Sequence, residues 1–238
     1  MKKLAKLIES DLKLIFRDKT LLSFLVLPIV LIFVFKFLTP ILIEKIPILE
    51  DYRTLIAMFA SIQTAIMFGF ITSFLILDEK DENVMQVIRI LPISSSYFIL
   101  YRLLFATVFS STAAFFMITY TDIANPGTVN ALLLSILYGL TAPTISLIIA
   151  TYAKNKVEGM AYFKGVDLLL MLPLASFFVG SSISLVFSIL PTYWTFKFYD
   201  HSFNGESSLN YFIIGALFFI SLISILIIQF KKRVFGRS

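Results

Sequence analysis

The chain has 238 residues, 58% of them hydrophobic, with 26 Phe and a formal net charge of +5. Soluble domains carry roughly 45–50% apolar residues, so this composition excludes a water-soluble globular domain and defines an integral membrane protein. The lack of Cys excludes a disulfide framework and a thiolate metal site.

Spanning about 30 Å of hydrocarbon takes about 20 residues of helix. Six stretches qualify: 21–38, 55–77, 98–120, 131–152, 166–190 and 211–230. They are continuously apolar rather than alternating, which predicts helices and not barrel strands. The expected fold is an all-α integral membrane protein, one transmembrane domain over 1–238.

Ahead of the first span, residues 1–20 are too charged to cross. Leu4, Leu7, Ile8, Leu12 and Ile15 nevertheless recur at helical spacing, which predicts an amphipathic helix lying in the membrane surface. The first span carries Pro28 and ends near Lys36, a residue placed to snorkel outward. The second contains Gln63, Thr64, Gly69 and Ser73, more polar than lipid contact alone selects. In the connection 78–97, Asp78, Glu79, Asp81 and Glu82 precede Val84, Val87, Ile88 and Leu91, and Pro92 follows. An acidic first turn and one apolar face predict a short amphipathic helix along the membrane, stopped by the proline. A helix too short to fold alone is a natural docking element for a soluble partner.

Beyond the third span, Asn125-Pro126-Gly127 marks a turn. Gly139 and Pro143 predict a kink or a close helix contact in the fourth span, and the fifth carries Pro173 and small residues from Gly180. Between the fifth and sixth spans, Tyr193, Trp194, Phe196, Phe198 and Tyr199 lie between Pro191 and Asn204-Gly205. A short helix re-entering the outer leaflet fits those limits. If both termini face the cytosol, 16 of the 20 basic residues fall on that side, as the positive-inside bias requires. The positive charge thus reports orientation rather than a nucleic-acid partner.

The chemistry is equally selective. None of the nine glycines begins a Gly-Lys-Ser or Gly-Lys-Thr phosphate loop, so ATP hydrolysis on this chain is not expected. The single His201 falls in the outer connection and cannot complete a hydrolase triad or a metal site by itself. Arg102 and Asp167 are placed within about a turn of the cytosolic ends of the third and fifth spans, as interfacial anchors or members of local ion pairs. No catalytic, cofactor-binding or metal-ligating residue is expected.

Order and spacing then carry a resemblance. An amphipathic N-terminal helix, six spans and the loop Glu79-Lys80-Asp81-Glu82, Val84, Val87, Leu91-Pro92-Ile93 resemble the permease subunits of ABC-2 type transporters. The stretches DLKLIFRDKTLL from Asp11, NKVEGMAYFKG from Asn155 and LPTYWTFKF from Leu190 resemble the small bacterial permeases described as fluoroquinolone exporters. Asn83 and Gln86 depart from the Gly and acidic residue usual in that loop. The resemblance implies a coupling helix made by Asp78, Glu79, Asp81, Glu82, Val84, Val87, Ile88, Arg89, Leu91 and Pro92, seated on a separate ATPase subunit that binds ATP and Mg. It implies a second permease chain, identical or related, and an amphipathic or hydrophobic cargo. Spans two and five would face each other across two protomers, with Gln63, Met67, Phe70 and Phe74 and then Phe177, Gly180, Ser181 and Ser184 along the path. The same residues serve equally well as dimer packing. A scaffold that docks a cytosolic protein without moving anything, or a heme or lipid export permease, fits the same architecture.

Overall fold

The computed structural model describes residues 2–82 and 95–236. In chain order it contains α1 (Lys2–Arg17), α2 (Lys19–Lys45), a 3-10 segment (Pro47–Tyr52), α3 (Arg53–Asp81), α4 (Ser95–Thr121), α5 (Thr128–Gly139), α6 (Thr141–Tyr152) and α7 (Lys156–Met171). A 3-10 segment (Leu172–Phe178), a single turn (Ser181–Ser184) and a second 3-10 segment (Leu185–Ile189) lead to α8 (Pro191–Phe203) and α9 (Leu209–Phe230), which ends in a π-turn (Lys231–Phe235). Six of these stretches are long and apolar enough to cross a membrane, and no strand occurs among the described residues.

Span two (α3) and span four (α5 with α6) form the centre. Their most apolar windows are each 72% buried, against 11% for α2 and 17% for the last span. The peripheral helices therefore turn Phe33, Phe37, Leu217 and Ile228 outward, where lipid is the expected solvent. Lipid tails are as apolar as Leu, so helix association in a bilayer depends on close packing and interhelical hydrogen bonds. Both are present. The Ser110 hydroxyl of α4 donates to the Ala65 carbonyl (2.8 Å), and the Ser146 hydroxyl of α6 donates to that of Gly69 (3.0 Å). Phe70 of α3 stacks on Phe24 and Phe74 and meets Phe163 of α7 edge-on.

Local signals explain the boundaries. The Asp18 carboxylate accepts from the backbone N–H of Thr20 and Leu21 and starts α2, satisfying donors that a helix N-terminus leaves open. Span four breaks between Gly139 and Thr141, where the expected kink falls.

Three elements differ in their boundaries from the sequence reading. The first span continues through Pro40 to Lys45. The helix expected to begin at Asp78 does not: Asp78, Glu79, Lys80 and Asp81 complete α3, and the Glu82 N–H caps it on the Asp78 carbonyl. Three carboxylates thus sit at a helix C-terminus, where the dipole opposes them by about 0.3–1 kcal/mol each, and tertiary partners must offset that cost. The fifth span starts at Lys156 rather than 166. Asn155 accepts from the Glu158 N–H while Glu158 accepts from that of Lys154, a reciprocal cap that nucleates the helix there. Regular helix ends at Met171, just before Pro173.

Candidate functional site

One end of the bundle gathers the N-terminal helix, the end of α3, the start of α4 and the end of α9. Arg102 is at its centre. Its guanidinium donates bidentately to Glu79 (2.7 Å to each oxygen) and to Asp11 Oδ1 (2.8 Å). The Tyr101 hydroxyl donates to the other Asp11 oxygen, and Arg102 Nε donates to the Tyr101 oxygen at 3.3 Å. Arg102 is 2% and Asp11 6% exposed, so these are buried charges, and burial is tolerated only with close pairing. Bidentate geometry fixes direction as well as energy. The clamp therefore holds α1 against the two helix ends that flank residues 83–94.

The amphipathic stripe of α1 explains how Asp11 reaches it. Asp11 and Ile15 lie four residues apart and are the buried positions of that helix among its described side chains. The expected Leu12 is only partly buried, and the side chains of Leu4, Leu7 and Ile8 lie outside the described set. Of the sequence alternatives for Arg102, the local ion pair is the one present.

A second tie lies beside the first. The Lys156 ammonium bridges Asp18 (2.9 Å) and Asp78 (2.8 Å), joining the starts of α2 and α7 to the end of α3. Lys80 donates to the Ala150 and Ala153 carbonyls (3.0 and 2.8 Å), closing the C-terminus of α6. The hydrogen bond from Lys156 holds the Asp18 carboxyl below the usual carboxylate range. A depressed carboxyl contributes stability above its unfolded pKa of about 3.9 and loses it as pH falls through the folded value. The melting-temperature difference between wild type and Lys156→Met in detergent is therefore expected to be full at pH 6 and to shrink below about pH 4.

The proposed coupling residues divide. Asp78 and Glu79 are engaged within the chain, whereas Asp81 and Glu82 are exposed. Val84, Val87, Ile88, Arg89, Leu91 and Pro92 lie outside the described residues.

The path candidates also divide. Met67, Phe70 and Phe74 are buried inside a single protomer, in the aromatic packing between α2, α3 and α7. This differs from the expectation that their face looks across to a second protomer; α3 is the central helix and its own neighbours cover it. Phe177, Gly180, Ser181 and Ser184 lie at the opposite end from Arg102. There the Lys197 ammonium sits 4.6 Å from the Phe177 ring centre, and Ser181 and Ser184 help line a cavity of about 290 Å³ with Tyr193, Lys197, His201 and Tyr211. Gln63 remains half-buried, and its amide donates to Asp167 Oδ1 at 3.2 Å. Asp167 is not near the charged start of its helix. With α7 beginning at Lys156, it lies eleven residues in.

These features define a multi-pass α-helical membrane protein with one charge-clamped end and apolar outer helices. Residues 11–227 match the family described as fluoroquinolones export permease protein Rv2686c-like, and the chain belongs to that family of membrane permeases. Two relatives from Mycobacterium tuberculosis are named fluoroquinolones export permease protein, MT2760 from strain CDC 1551 / Oshkosh and Rv2686c from strain ATCC 25618 / H37Rv. Each is 26% identical to this chain over 234 residues, covering 94% of it and 92% of the relative. No solved structure matches.

Proposed function

We propose that this chain is the membrane-spanning subunit of an ATP-driven exporter of the ABC-2 type, working with a second permease chain in a cytoplasmic membrane. Separate ATPase subunits would bind ATP and Mg and hydrolyse the nucleotide; this sequence has no phosphate loop of its own. The distribution of basic residues supports cytosolic termini. The relatives' names suggest a fluoroquinolone or a similar amphipathic compound as cargo.

The observation that carries this reading is the Arg102 clamp. A force applied to the connection between α3 and α4 meets two helix ends locked to each other and to α1. Such a unit moves as one body, which a motor docked from outside requires. Nucleotide binding then drives transport only if the ATPase holds one permease arrangement better than the other.

The test co-expresses the chain with its ATPase. Asp81→Ala with Glu82→Ala removes exposed charges, so folding is expected to be unchanged while ATPase co-purification and cargo-stimulated hydrolysis fall about ten-fold. Unaltered association and stimulation in that variant, and again when residues 83–91 are replaced by a Gly-Ser linker, refute the coupling proposal.

A further inference from the structure

Depth turns Asp167 from an anchor into an anomaly. The Lys156–Asp78 ion pair marks the charged end of both α7 and α3. Asp167 lies eleven residues along α7, about 16 Å, and Gln63 lies fifteen residues back along α3, about 22 Å. Gln63 is also ten residues from Arg53 at the other end of α3, so Gln63 and the Asp167 bonded to it lie toward the middle of a helix long enough to span about 30 Å of hydrocarbon.

At that depth the carboxylate is paired with a dipole and not with a charge; the exposed Lys164, three residues away on α7, forms no ion pair with it. Its hydrogen bond is to the Gln63 amide, whose nitrogen also lies 2.8 Å from Met171 Sδ. Among the described residues no Lys, Arg or His forms an ion pair with Asp167, and no group of metal-binding side chains is present. Asp167 and Gln63 are each only half-buried, so the pair reaches the surface of the protomer. Phe59, one helical turn from Gln63, is exposed beside it.

An ionised carboxylate facing lipid is strongly disfavoured, and such residues normally face a bundle interior or a water-filled path with a paired charge. If Asp167 served only to hold Gln63, an asparagine would do so without that penalty. A carboxylate, an amide and a thioether in mutual contact on a half-buried face, with an exposed aromatic ring one helical turn from the amide, match an amphipathic cation: the charge meets Asp167, and the apolar body meets Met171 and Phe59.

We infer that Asp167 is the counter-ion for a protonated amine on the exported compound, with Gln63 holding the carboxylate in place. This rests on the export reading and narrows its cargo to amphipathic molecules bearing a basic nitrogen.

The test measures binding to the full chain in lipid nanodiscs. Ciprofloxacin carries a protonated piperazine; N-acetylciprofloxacin keeps the ring system without that charge. Asp167→Asn is expected to weaken ciprofloxacin binding about ten-fold or more, and to leave N-acetylciprofloxacin within about two-fold, since a paired charge and not shape is lost. Asp167→Glu retains most of the preference, and Gln63→Leu, which keeps the carboxylate but not its hydrogen bond, retains only part of it; Asp167→Ser repeats the charge removal should the Asn variant fold poorly. Equal losses for the two probes, or no loss for either, overturn the inference. If wild type binds neither quinolone, tetraphenylphosphonium separates the two ideas. Asp167-dependent binding of that cation upholds the counter-ion and refutes the fluoroquinolone cargo, whereas no Asp167-dependent binding refutes the counter-ion.

Discussion

Replacing Arg102 with Met is expected to be among the most damaging single changes in the chain. It leaves Asp11 and Glu79 facing each other in a buried site without their shared cation. Breaking a buried pair by removing one partner costs about 3–5 kcal/mol, because the remaining charge is uncompensated. Two orphaned carboxylates place Arg102→Met at the upper end of that range. Arg102→Lys keeps a charge but cannot reproduce the fork that reaches both Glu79 oxygens and Asp11 together, so an intermediate loss is expected. The triple variant Asp11→Leu, Glu79→Met, Arg102→Met removes all three charges and is expected to recover much of the lost stability. Thermal melting in detergent, followed by size-exclusion chromatography, reads all three. A triple variant no more stable than Arg102→Met would mean that packing, and not charge, is what the clamp supplies. A stable triple variant that no longer couples to an ATPase would show that the clamp is retained for its geometry.

The six spans were legible because hydrocarbon imposes a length and a polarity that few other constraints override. The clamp was half legible. Asp11 stood on the apolar stripe of α1, four residues from Ile15, and a charge on such a stripe signals a buried partner. Glu79 misled for a physical reason. A run of acids reads as a helix start because the dipole favours it there, but Arg102 and Lys156, 23 and 78 residues from their Glu79 and Asp78 partners, stabilise these carboxylates at a helix end instead. The dipole term is about 0.3–1 kcal/mol per carboxylate, whereas leaving Glu79 buried without Arg102 would cost about 3–5 kcal/mol, so at Glu79 the tertiary partner decides. The fifth span was misplaced because the segment after Pro173 is as apolar as the one before it, and hydropathy cannot tell a helix from the 3-10 turns found there. The reciprocal cap at Asn155 and Glu158 was the available signal, and reading it would have put Asp167 at depth. Pro191 and Asn204-Gly205 did delimit α8, with Gly205 at a φ of +72° beyond its end.

Gly69 is where close packing of the two central spans is most exposed to substitution. A Cβ at Gly69 would lie 2.8 Å from the Ala142 carbonyl oxygen and 3.0 Å from Ile145 Cβ, and the first of these is backbone that cannot turn away. Ala gains about 1 kcal/mol over Gly in helix propensity, while overpacking costs about 1–3 kcal/mol, so Gly69→Ala is expected to be mildly destabilising. Gly69→Leu adds three more carbons at the same contact and would separate α3 from α6, breaking the Ser146 bond to the Gly69 carbonyl; most folded protein is expected to be lost. Gly139 supplies the contrast. The nearest atom to a Cβ there is the Ser111 hydroxyl oxygen, at 1.9 Å, the tip of a side chain that can be removed. Gly139→Ala is therefore expected to be largely rescued by Ser111→Ala, leaving the tighter approaches to the Thr107 carbonyl oxygen at 3.0 Å and to the Cβ of residue 111 at 3.1 Å. For Gly69→Leu, truncating Ile145 to Ala brings no comparable recovery, because the Ala142 carbonyl remains. Melting temperatures of the four variants decide it. Recovery of Gly69→Leu by Ile145→Ala would locate the constraint in side chains and not in the approach of two backbones.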